Sequence, residues 1–346
     1  MQGQRLLVVG GAGFVGSNLV RAALAQGCAG LVVVDNLLSA ERENLPRDPR
    51  VDFLEGSIAA DAVLARIADE FDYIFHLATY HGNQSSIADP LADHENNLLT
   101  TLRLYEHIKD FRRVRKVIYA ASGCTLATHT FEQAEATTED GAVPFDLDSP
   151  YQISKVVGEF YSVYYHRQHR LPTVRARFQN VYGPGEVLGA GHWRGTPATV
   201  WRNVTPTFVY RALKGLPLRV ENGGIATRDF IFVGDIVRGL FACAGVGRTG
   251  DVYNLASGVE TSILELATRV NELTGNLAAL QFLPQRTWDS SGKRFGSTLK
   301  AREVLGFTAT VSLKEGLDST IEWTRANLAF IDACVDRHRV HMADAW

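Results

Sequence analysis

The sequence has few cysteines, and they form no recognisable pattern. Four are scattered over 346 residues, at Cys28, Cys124, Cys243 and Cys334, with no CxxC pair and no His/Cys cluster at metal-ligand spacing. We therefore expect neither disulfides nor a metal site. Free cysteines of this kind are typical of a reducing compartment, so a cytoplasmic protein is expected.

Long apolar runs and blocks of one charge are also missing. No uninterrupted apolar stretch approaches the ~20 residues of a membrane span. A strand pattern begins almost at the N-terminus, so we expect no signal peptide. The formal net charge is −3, without a basic stripe. We therefore expect neither a membrane nor a nucleic acid as a partner.

A glycine-rich turn stands near the start of the chain. The apolar strand pattern at residues 5–9 is followed by GGAGFVG at residues 10–16 and then by an amphipathic helix pattern. Gly10 lets the chain turn off the strand, Gly13 lets the backbone approach a pyrophosphate, and Gly16 lets the helix pack closely on the sheet. The free N–H groups at the start of such a helix favour bound phosphates.

An acidic residue follows the second strand pattern. Asp35 comes directly after the apolar run at residues 31–34 and lies 19 residues after Gly16. A carboxylate at this position can accept hydrogen bonds from both ribose hydroxyls of a dinucleotide, whereas it would repel a 2′-phosphate. The pattern therefore favours NAD over NADP.

Strand and helix patterns alternate through the first half of the chain. Strands are predicted at residues 51–54, 72–75, 114–119 and 173–178, and helices at residues 93–109 and 151–168. This alternation is typical of a doubly wound parallel sheet, in which functional groups lie at the carboxyl ends of the strands. Ser122 follows a strand pattern and has such a position.

A tyrosine and a lysine stand four residues apart in the segment Tyr151-Gln-Ile-Ser-Lys155. On a helix this spacing places both side chains on one face, one turn apart. A neighbouring ammonium favours the phenolate, so we expect the pKa of Tyr151 to fall towards neutral pH and the phenol to act as a base.

Together, GGAGFVG, Asp35, His-Leu-Ala at 76–78, Ser122 and YQISK at 151–155 resemble the extended short-chain dehydrogenases/reductases, in the branch of NAD-dependent nucleotide-sugar epimerases and dehydratases. The resemblance implies an α/β fold, with a Rossmann-type doubly wound parallel sheet and a smaller C-terminal α/β substrate domain. It places an NAD-binding domain at 1–179 and a substrate domain at 180–346, with some segments of the latter returning to the sheet. It also implies a homodimer that pairs through the YxxxK helix.

The resemblance implies three catalytic residues. Ser122 would hydrogen-bond the reacting sugar hydroxyl, Tyr151 would take its proton, and Lys155 would hold the nicotinamide ribose and lower the tyrosine pKa. The NAD-binding residues that it implies are Gly10, Gly13, Phe14, Val15, Gly16, Asp35, Asn36, Ser57, Ile58, Leu77, Ala78 and Asn97, with Tyr151 and Lys155. Ser57 is a departure, because the family usually has an acid there for the adenine amino group, and a weaker contact is expected.

The second half supplies polar residues for a nucleotide-sugar substrate. The resemblance assigns to that site Asn180, Asn203, Arg228, Arg294 and, from the first half, His81, Gln84 and Cys124. A guanidinium suits a diphosphate because it donates two parallel hydrogen bonds. For Arg228 the alternative is a structural ion pair with Asp229 or Asp235, and for His81 it is a solvated loop position. His76 is expected to pack rather than to catalyse.

The residues after Ser122 bear on the reaction. Dehydratases of the family usually have an Asp-Glu pair there, whereas this chain has Gly123 and Cys124. Relatives that use a uronic acid often have an arginine where this chain has Gln84. These departures favour 4-epimerisation of a nucleoside-diphosphate hexose through a transient 4-keto sugar over dehydration or decarboxylation.

Dehydration and decarboxylation of a nucleotide sugar stay open as alternatives, and so do two further functions. The Ser-x-Cys order resembles 3,5-epimerases in which the cysteine is an acid/base, although the lysine that these enzymes have before a proline is missing at Thr205-Pro206. A small buried cysteine is the simpler interpretation of Cys124. The alternative from another class is a non-catalytic NAD-binding scaffold, which would usually have lost Tyr151 or Lys155.

Overall fold

The computed structural model describes residues 1–126, 130–286 and 292–342. Its strands are β1 (Arg5–Val9), β2 (Gly30–Asp35), β3 (Val51–Glu55), β4 (Tyr73–His76), β5 (Lys116–Ser122), β6 (Ala136–Thr137), β7 (Thr173–Phe178), β8 (Asn180–Tyr182), β9 (Arg219–Glu221), β10 (Thr227–Phe232), β11 (Val252–Leu255), β12 (Glu260–Ser262), β13 (Gln281–Leu283) and β14 (Phe295–Gly296).

Its helices are α1 (Phe14–Ala25), α2 (Asp61–Leu64), α3 (Asn83–Ala88), α4 (Pro90–Asp93), α5 (Thr100–Ile108), α6 (Pro150–His169), α7 (Val204–Leu213), α8 (Val233–Gly245), α9 (Ile263–Thr274), α10 (Leu299–Leu305), α11 (Leu313–Ala326) and α12 (Leu328–Asp336). A π-helical segment, His94–Leu99, joins α4 to α5. In the described part of the chain, no helix is both long and apolar enough to cross a membrane.

Seven parallel strands form the main sheet, in the order β11-β7-β5-β4-β1-β2-β3. The chain builds outward from β1 through β2 to β3, and then from β4 through β5 to β7 on the other side. The strand order therefore reverses between β1 and β4. In such sheets a crevice opens at this point, beyond the carboxyl ends of the strands. The predicted Rossmann-type doubly wound sheet is confirmed.

Two apolar layers cover the sheet because successive side chains of a strand point to opposite faces. Leu6 and Val8 of β1 pack with α1, α8 and α10, whereas Leu7 and Val9 pack with α5 and α6. Strands buried on both faces read as continuous apolar runs, which is the pattern of residues 5–9.

The second half forms a smaller unit around a three-stranded sheet, β12-β10-β8. Its apolar cluster joins β10 to α7, α9 and α11, and a further cluster packs α12 against the loop at residues 187–200. As expected, β11 returns to the main sheet, and α8 packs on it. The division into domains at 1–179 and 180–346 stays a prediction.

Two predicted strands have other boundaries. The strand predicted at 114–119 is β5, which continues to Ser122 because Ala120, Ala121 and Ser122 pair with β7. The strand predicted at 72–75 is β4, which lies one residue later, at Tyr73–His76. The other strand and helix patterns fall on observed elements, and Ser262 caps α9 by accepting from the Glu265 N–H.

Candidate active site

A deep cleft opens at the carboxyl ends of the strands, where the main sheet meets the second half of the chain. All the predicted site residues except Gln84 and Asn97 line it. They come from the glycine turn, from the ends of β2, β4 and β5, from the start of α6 and from the polar segments of the second half. The structure therefore brings together residues that are far apart in the sequence.

The glycine turn leaves its backbone open to the cleft. Gly10 has a φ of +84°, and a Cβ there would lie 2.5 Å from the backbone nitrogen of Ala78. Gly13 precedes α1 and offers no capping side chain, so the first N–H groups of this 12-residue helix face the cleft. A helix start of this kind is suited to a pyrophosphate.

Asp35 ends β2 and holds the turn in place. One carboxylate oxygen accepts from the Ala12 N–H at 3.0 Å and the other from the Leu37 N–H at 2.9 Å. Burial raises the pKa of Asp35, and these backbone hydrogen bonds oppose the rise. Asn36, Ser57 and Ile58 line the same end of the cleft, and the Ser57 hydroxyl accepts from the Ala59 N–H at 3.2 Å. The glycine turn at residues 10–16 and the Asp35 carboxylate therefore fit NAD.

Ser122, Tyr151 and Lys155 lie together at the base of the cleft. Ser122 ends β5, and its Oγ lies 3.0 Å from Cys124 Sγ. Tyr151 is the second residue of α6, whose start is capped by the Ser149 hydroxyl. Lys155, one turn later, is 3% exposed, and its Nζ donates to the Ala120 carbonyl oxygen at 3.0 Å. The predicted helical spacing of Tyr151 and Lys155 is confirmed.

The expected lowering of the Tyr151 pKa is wrong for the protein alone. Burial raises the pKa of Tyr151 well above its usual value, a charge on Cys124 acts in the same direction, and the hydrogen bond with Ser122 opposes both. The Lys155 Nζ lies 5.8 Å from the centroid of the Tyr151 ring and is bonded to a carbonyl. Burial also lowers the pKa of Lys155 to about 8. Desolvation of Tyr151 therefore affects its pKa more than the Lys155 ammonium does.

His76 and His81 lie at different positions, but burial keeps both imidazole rings neutral. His76 is 1% exposed, and its Nε2 lies 2.9 Å from the Thr101 hydroxyl, so it packs as expected. His81 lines the cleft, with its ring edge-on to Tyr151 at a centroid distance of 5.8 Å. Burial lowers the pKa of each to about 3. Both rings are therefore neutral at physiological pH.

The second half supplies the polar wall of the cleft. Arg228 donates to the carbonyl oxygens of Thr227 and Gly292, at 2.7 and 2.6 Å. The Asn203 amide donates to the Glu186 carboxylate. Within the described ranges, Arg294 Nη1 is buried without a partner. A guanidinium in this state is suited to an anionic ligand.

The carboxylates named as alternative partners of Arg228 are held by other groups. Asp229 accepts from the Ser257 backbone N–H at 2.9 Å and from the Ser257 hydroxyl at 2.6 Å. Asp235 pairs with Arg238 and accepts from the Thr310 N–H at 3.0 Å. These bonds tie β10 and α8 to neighbouring loops. They give both carboxylates a structural role.

Two predicted residues lie outside the cleft lining. Gln84 is in α3, and Asn97 is in the π-helical segment, 2% exposed. The Asn97 Oδ1 accepts from the Tyr80 N–H at 2.7 Å and from the Thr79 hydroxyl at 3.0 Å. Asn97 therefore shapes the loop after β4, and we propose that it supports the cofactor site indirectly.

The cleft lining also includes residues that the sequence did not reveal, among them Gln179, Glu186 and Arg202. Gln179 follows β7, and its position at a strand end could have marked it. A Cβ on Gly123 would lie 2.1 Å from Gln179 Nε2. The glutamine amide therefore occupies the space that a side chain at position 123 would need.

Comparison with known proteins decides the family. A family model described as "NAD dependent epimerase/dehydratase family" matches residues 6–256. The chain belongs to the NAD dependent epimerase/dehydratase family. This confirms the resemblance seen in the sequence, and NAD is the cofactor.

Members of the NAD dependent epimerase/dehydratase family with different reactions resemble the chain. The Bordetella bronchiseptica enzyme WbmF, in a crystal structure with NAD+ and UDP, is 61% identical with a TM-score of 0.89, over 99% of this chain and 98% of WbmF. UDP-glucose 4-epimerase of Mycolicibacterium smegmatis is 35% identical over 93% of this chain and 98% of the relative. UDP-glucuronic acid decarboxylase 2 of Arabidopsis thaliana is 31% identical over 91% and 67%. Family membership alone does not select the reaction.

Proposed function

We propose that the enzyme is a nucleotide-sugar 4-epimerase that acts through a transient 4-keto sugar. The observation that carries this proposal is the composition of the cleft. Ser122, Tyr151 and Lys155 lie together beside the glycine turn, while position 123 carries no acid and the Gln179 amide occupies the space next to it. Alcohol oxidation needs a proton acceptor, and elimination of water would need a further acid/base pair.

The residues have separate roles in this proposal. Bound NAD supplies a reversible hydride acceptor. Ser122 orients the reacting hydroxyl, Tyr151 exchanges its proton, and the Lys155 ammonium favours the phenolate form of Tyr151 at the moment of transfer. Gly10, Gly13 and Gly16 with Asp35 would hold the cofactor.

The polar wall supports a nucleoside diphosphate as the other part of the substrate. Arg228, Arg294, Asn180 and Asn203 line that part of the cleft, and two guanidinium groups match the charge of a diphosphate. Because the WbmF crystal structure contains UDP, uracil is the first base to test.

A panel of UDP-, GDP-, dTDP- and CDP-sugars, incubated with the enzyme in D2O and followed by NMR, tests the reaction. A 4-epimerase moves hydrogen as hydride, so its product keeps every C–H bond and gains no deuterium. Inversion beside a ketone removes a proton, so that product gains deuterium at the inverted carbon. Water loss, carbon dioxide release or no conversion of any sugar would each contradict the proposal.

Cys124 supports a second candidate, a 3,5-epimerase in which the thiol is an acid/base. The contact of its Sγ with Ser122 Oγ at 3.0 Å and its place in the cleft favour this candidate. For the 4-epimerase we expect Cys124→Ala to retain turnover within about threefold. A catalytic thiol would instead make the loss about 10²-fold or more. Cys124→Ser, which puts a hydroxyl in place of the thiol, is the matched control in the same NMR assay.

We also propose a cytoplasmic homodimer. Ile153, Phe160 and Tyr164 are exposed on α6, and their spacing of seven and four residues puts them on one face. An exposed apolar face of this kind is suited to a second copy of the same helix. The four cysteines are free, which suits a reducing compartment.

Phe160→Asp should convert the dimer to a monomer, because a charge would be buried in the apolar interface. Light scattering after size exclusion measures the mass directly. Leu277→Asp, at an exposed side chain in the loop between α9 and β13, is the control and should leave the mass unchanged. A wild-type protein with the mass of one chain would overturn the assignment.

A further inference from the structure

Asp93, the last residue of α4, is a buried carboxylate that the proposed mechanism does not use. It is 1% exposed, and burial of an ionised group is costly unless other groups compensate it. The Asn97 Nδ2 donates to its Oδ2 at 2.7 Å. Within the described residues, it forms no ion pair with an arginine or a lysine.

A hydrogen-bond network links Asp93 to both sides of Tyr151. The Asn97 Nδ2 also reaches the Ser154 Oγ at 3.1 Å, and Ser154 donates to the Tyr151 carbonyl oxygen at 3.0 Å. On the other side, Asn97 holds the Tyr80 N–H at 2.7 Å, next to His81, whose ring lies against Tyr151. Asp93 therefore anchors the segment that supports the phenol.

Several groups face the Lys155 ammonium. The Tyr119 and Tyr151 rings lie 5.5 and 5.8 Å away. The other titratable groups whose charges act on Lys155, or on which Lys155 acts, are Asp93, Cys124, Glu159, His76 and His81. They come from β4, the loop after it, α4, the turn after β5, and α6.

Glu159 is the other carboxylate in this set, and arginines already neutralise it. Its oxygens accept from the Arg177 Nε at 2.8 Å and Nη2 at 2.9 Å, and from Arg175 at 3.3 Å. Asp93 has no such partner among the described residues. Of these two carboxylates, Asp93 is therefore the one whose charge is available to balance Lys155.

We propose that Asp93 is a positioning residue that holds the support of Tyr151 through Asn97 and Ser154 and keeps Lys155 in the ammonium form. The catalytic consequence rests on the proposed function, whereas the charge coupling does not. Burial favours the neutral amine of Lys155, and a nearby anion opposes that effect. Without the anion, Lys155 loses its proton at a lower pH.

The coupling can be measured in the resting protein by NMR titration of the lysine side chains. The chain has seven lysines, and Lys155→Arg assigns the signal. The wild-type midpoint should lie at about 8, and Asp93→Asn should lower it by about one pH unit. Asp89→Asn, at the exposed N-cap of the same helix, should not move it. An unchanged midpoint in Asp93→Asn overturns the proposal.

A wild-type measurement covers the case in which Asp93→Asn does not fold. Coupled groups sense each other's titration, so the carboxyl carbon signal of Asp93 should inflect at the Lys155 midpoint. A signal that is flat through this range contradicts the coupling. In the sugar assay, Asp93→Asn should shift the alkaline limb of kcat downward by the same unit. An equal loss at every pH would show a purely structural role, whatever the reaction is.

Discussion

Replacing Tyr151 with phenylalanine will reduce turnover of the nucleotide sugar by about 10³-fold and leave the bound NAD in place. The phenol is the proton exchanger in the proposed reaction, and burial keeps its pKa high. The His81 ring lies edge-on to the Tyr151 ring, and phenylalanine keeps that ring. Steady-state kinetics together with the dinucleotide content of the purified variant measure the two effects separately.

Tyr119→Phe is the matched control. Tyr119 is also a buried tyrosine with Lys155 over its ring, at 5.5 Å, but it lies behind the cleft, and its hydroxyl faces the backbone of Gly158. Turnover of this variant should stay within about threefold of the wild type, since it removes a hydroxyl without removing a group of the cleft. Full activity of Tyr151→Phe would eliminate the epimerase mechanism, and equal losses in both variants would indicate a structural effect.

The fold could be predicted from the sequence because its strands are buried on both faces. The run at residues 5–9 coincides with β1, since continuous apolar character is the signal of a central parallel strand. The segment at residues 173–178, TVRARF, coincides with β7, although Arg175 and Arg177 alternate with its apolar residues. The end of β5 was missed because alanine has low strand propensity. Pairing with β7 extends the strand through Ala120 and Ala121 to Ser122.

The glycine turn, Asp35 and the Tyr151–Lys155 pair could be predicted because each is a local pattern with a geometric requirement. The electrostatics could not, because they depend on burial. The ammonium was expected to dominate the Tyr151 pKa, and desolvation dominates it instead. Contacts between distant segments were also beyond sequence reasoning, as with Asn97 and Ser154, which are 57 residues apart.

The residues of the polar wall show the same limit of prediction from sequence. Asn180, Asn203, Arg228 and Arg294 were assigned through family resemblance, and all four line the cleft. Glu186 and Arg202 lie in an irregular loop whose sequence has no period, so no pattern indicated that they face the cleft. Gln179 bears most on the proposed reaction, and its contact with Gly123 is visible only in three dimensions.

Gly16 packs so closely against the glycine turn that an alanine at this position should have a large effect. A Cβ on Gly16 would lie 2.2 Å from the Gly10 carbonyl oxygen and 2.6 Å from the Gly11 Cα. Both atoms are backbone, so no side-chain rotation can relieve the overlap. The start of α1 must move away from the end of β1, and the N–H groups that face the cleft move with it.

Gly16→Ala should therefore lower NAD affinity by about 100-fold, in line with the ~3 kcal/mol that overpacking can cost. Calorimetric titration of NAD into the dinucleotide-free protein measures the affinity, and thermal unfolding measures the accompanying loss of stability. Gly245→Ala makes the same substitution in a helix where a Cβ meets nothing within 4 Å. That variant should bind NAD normally and gain about 0.4–1 kcal/mol of stability, because alanine restricts the unfolded chain. Normal NAD binding by Gly16→Ala would show that the cofactor does not depend on the start of α1.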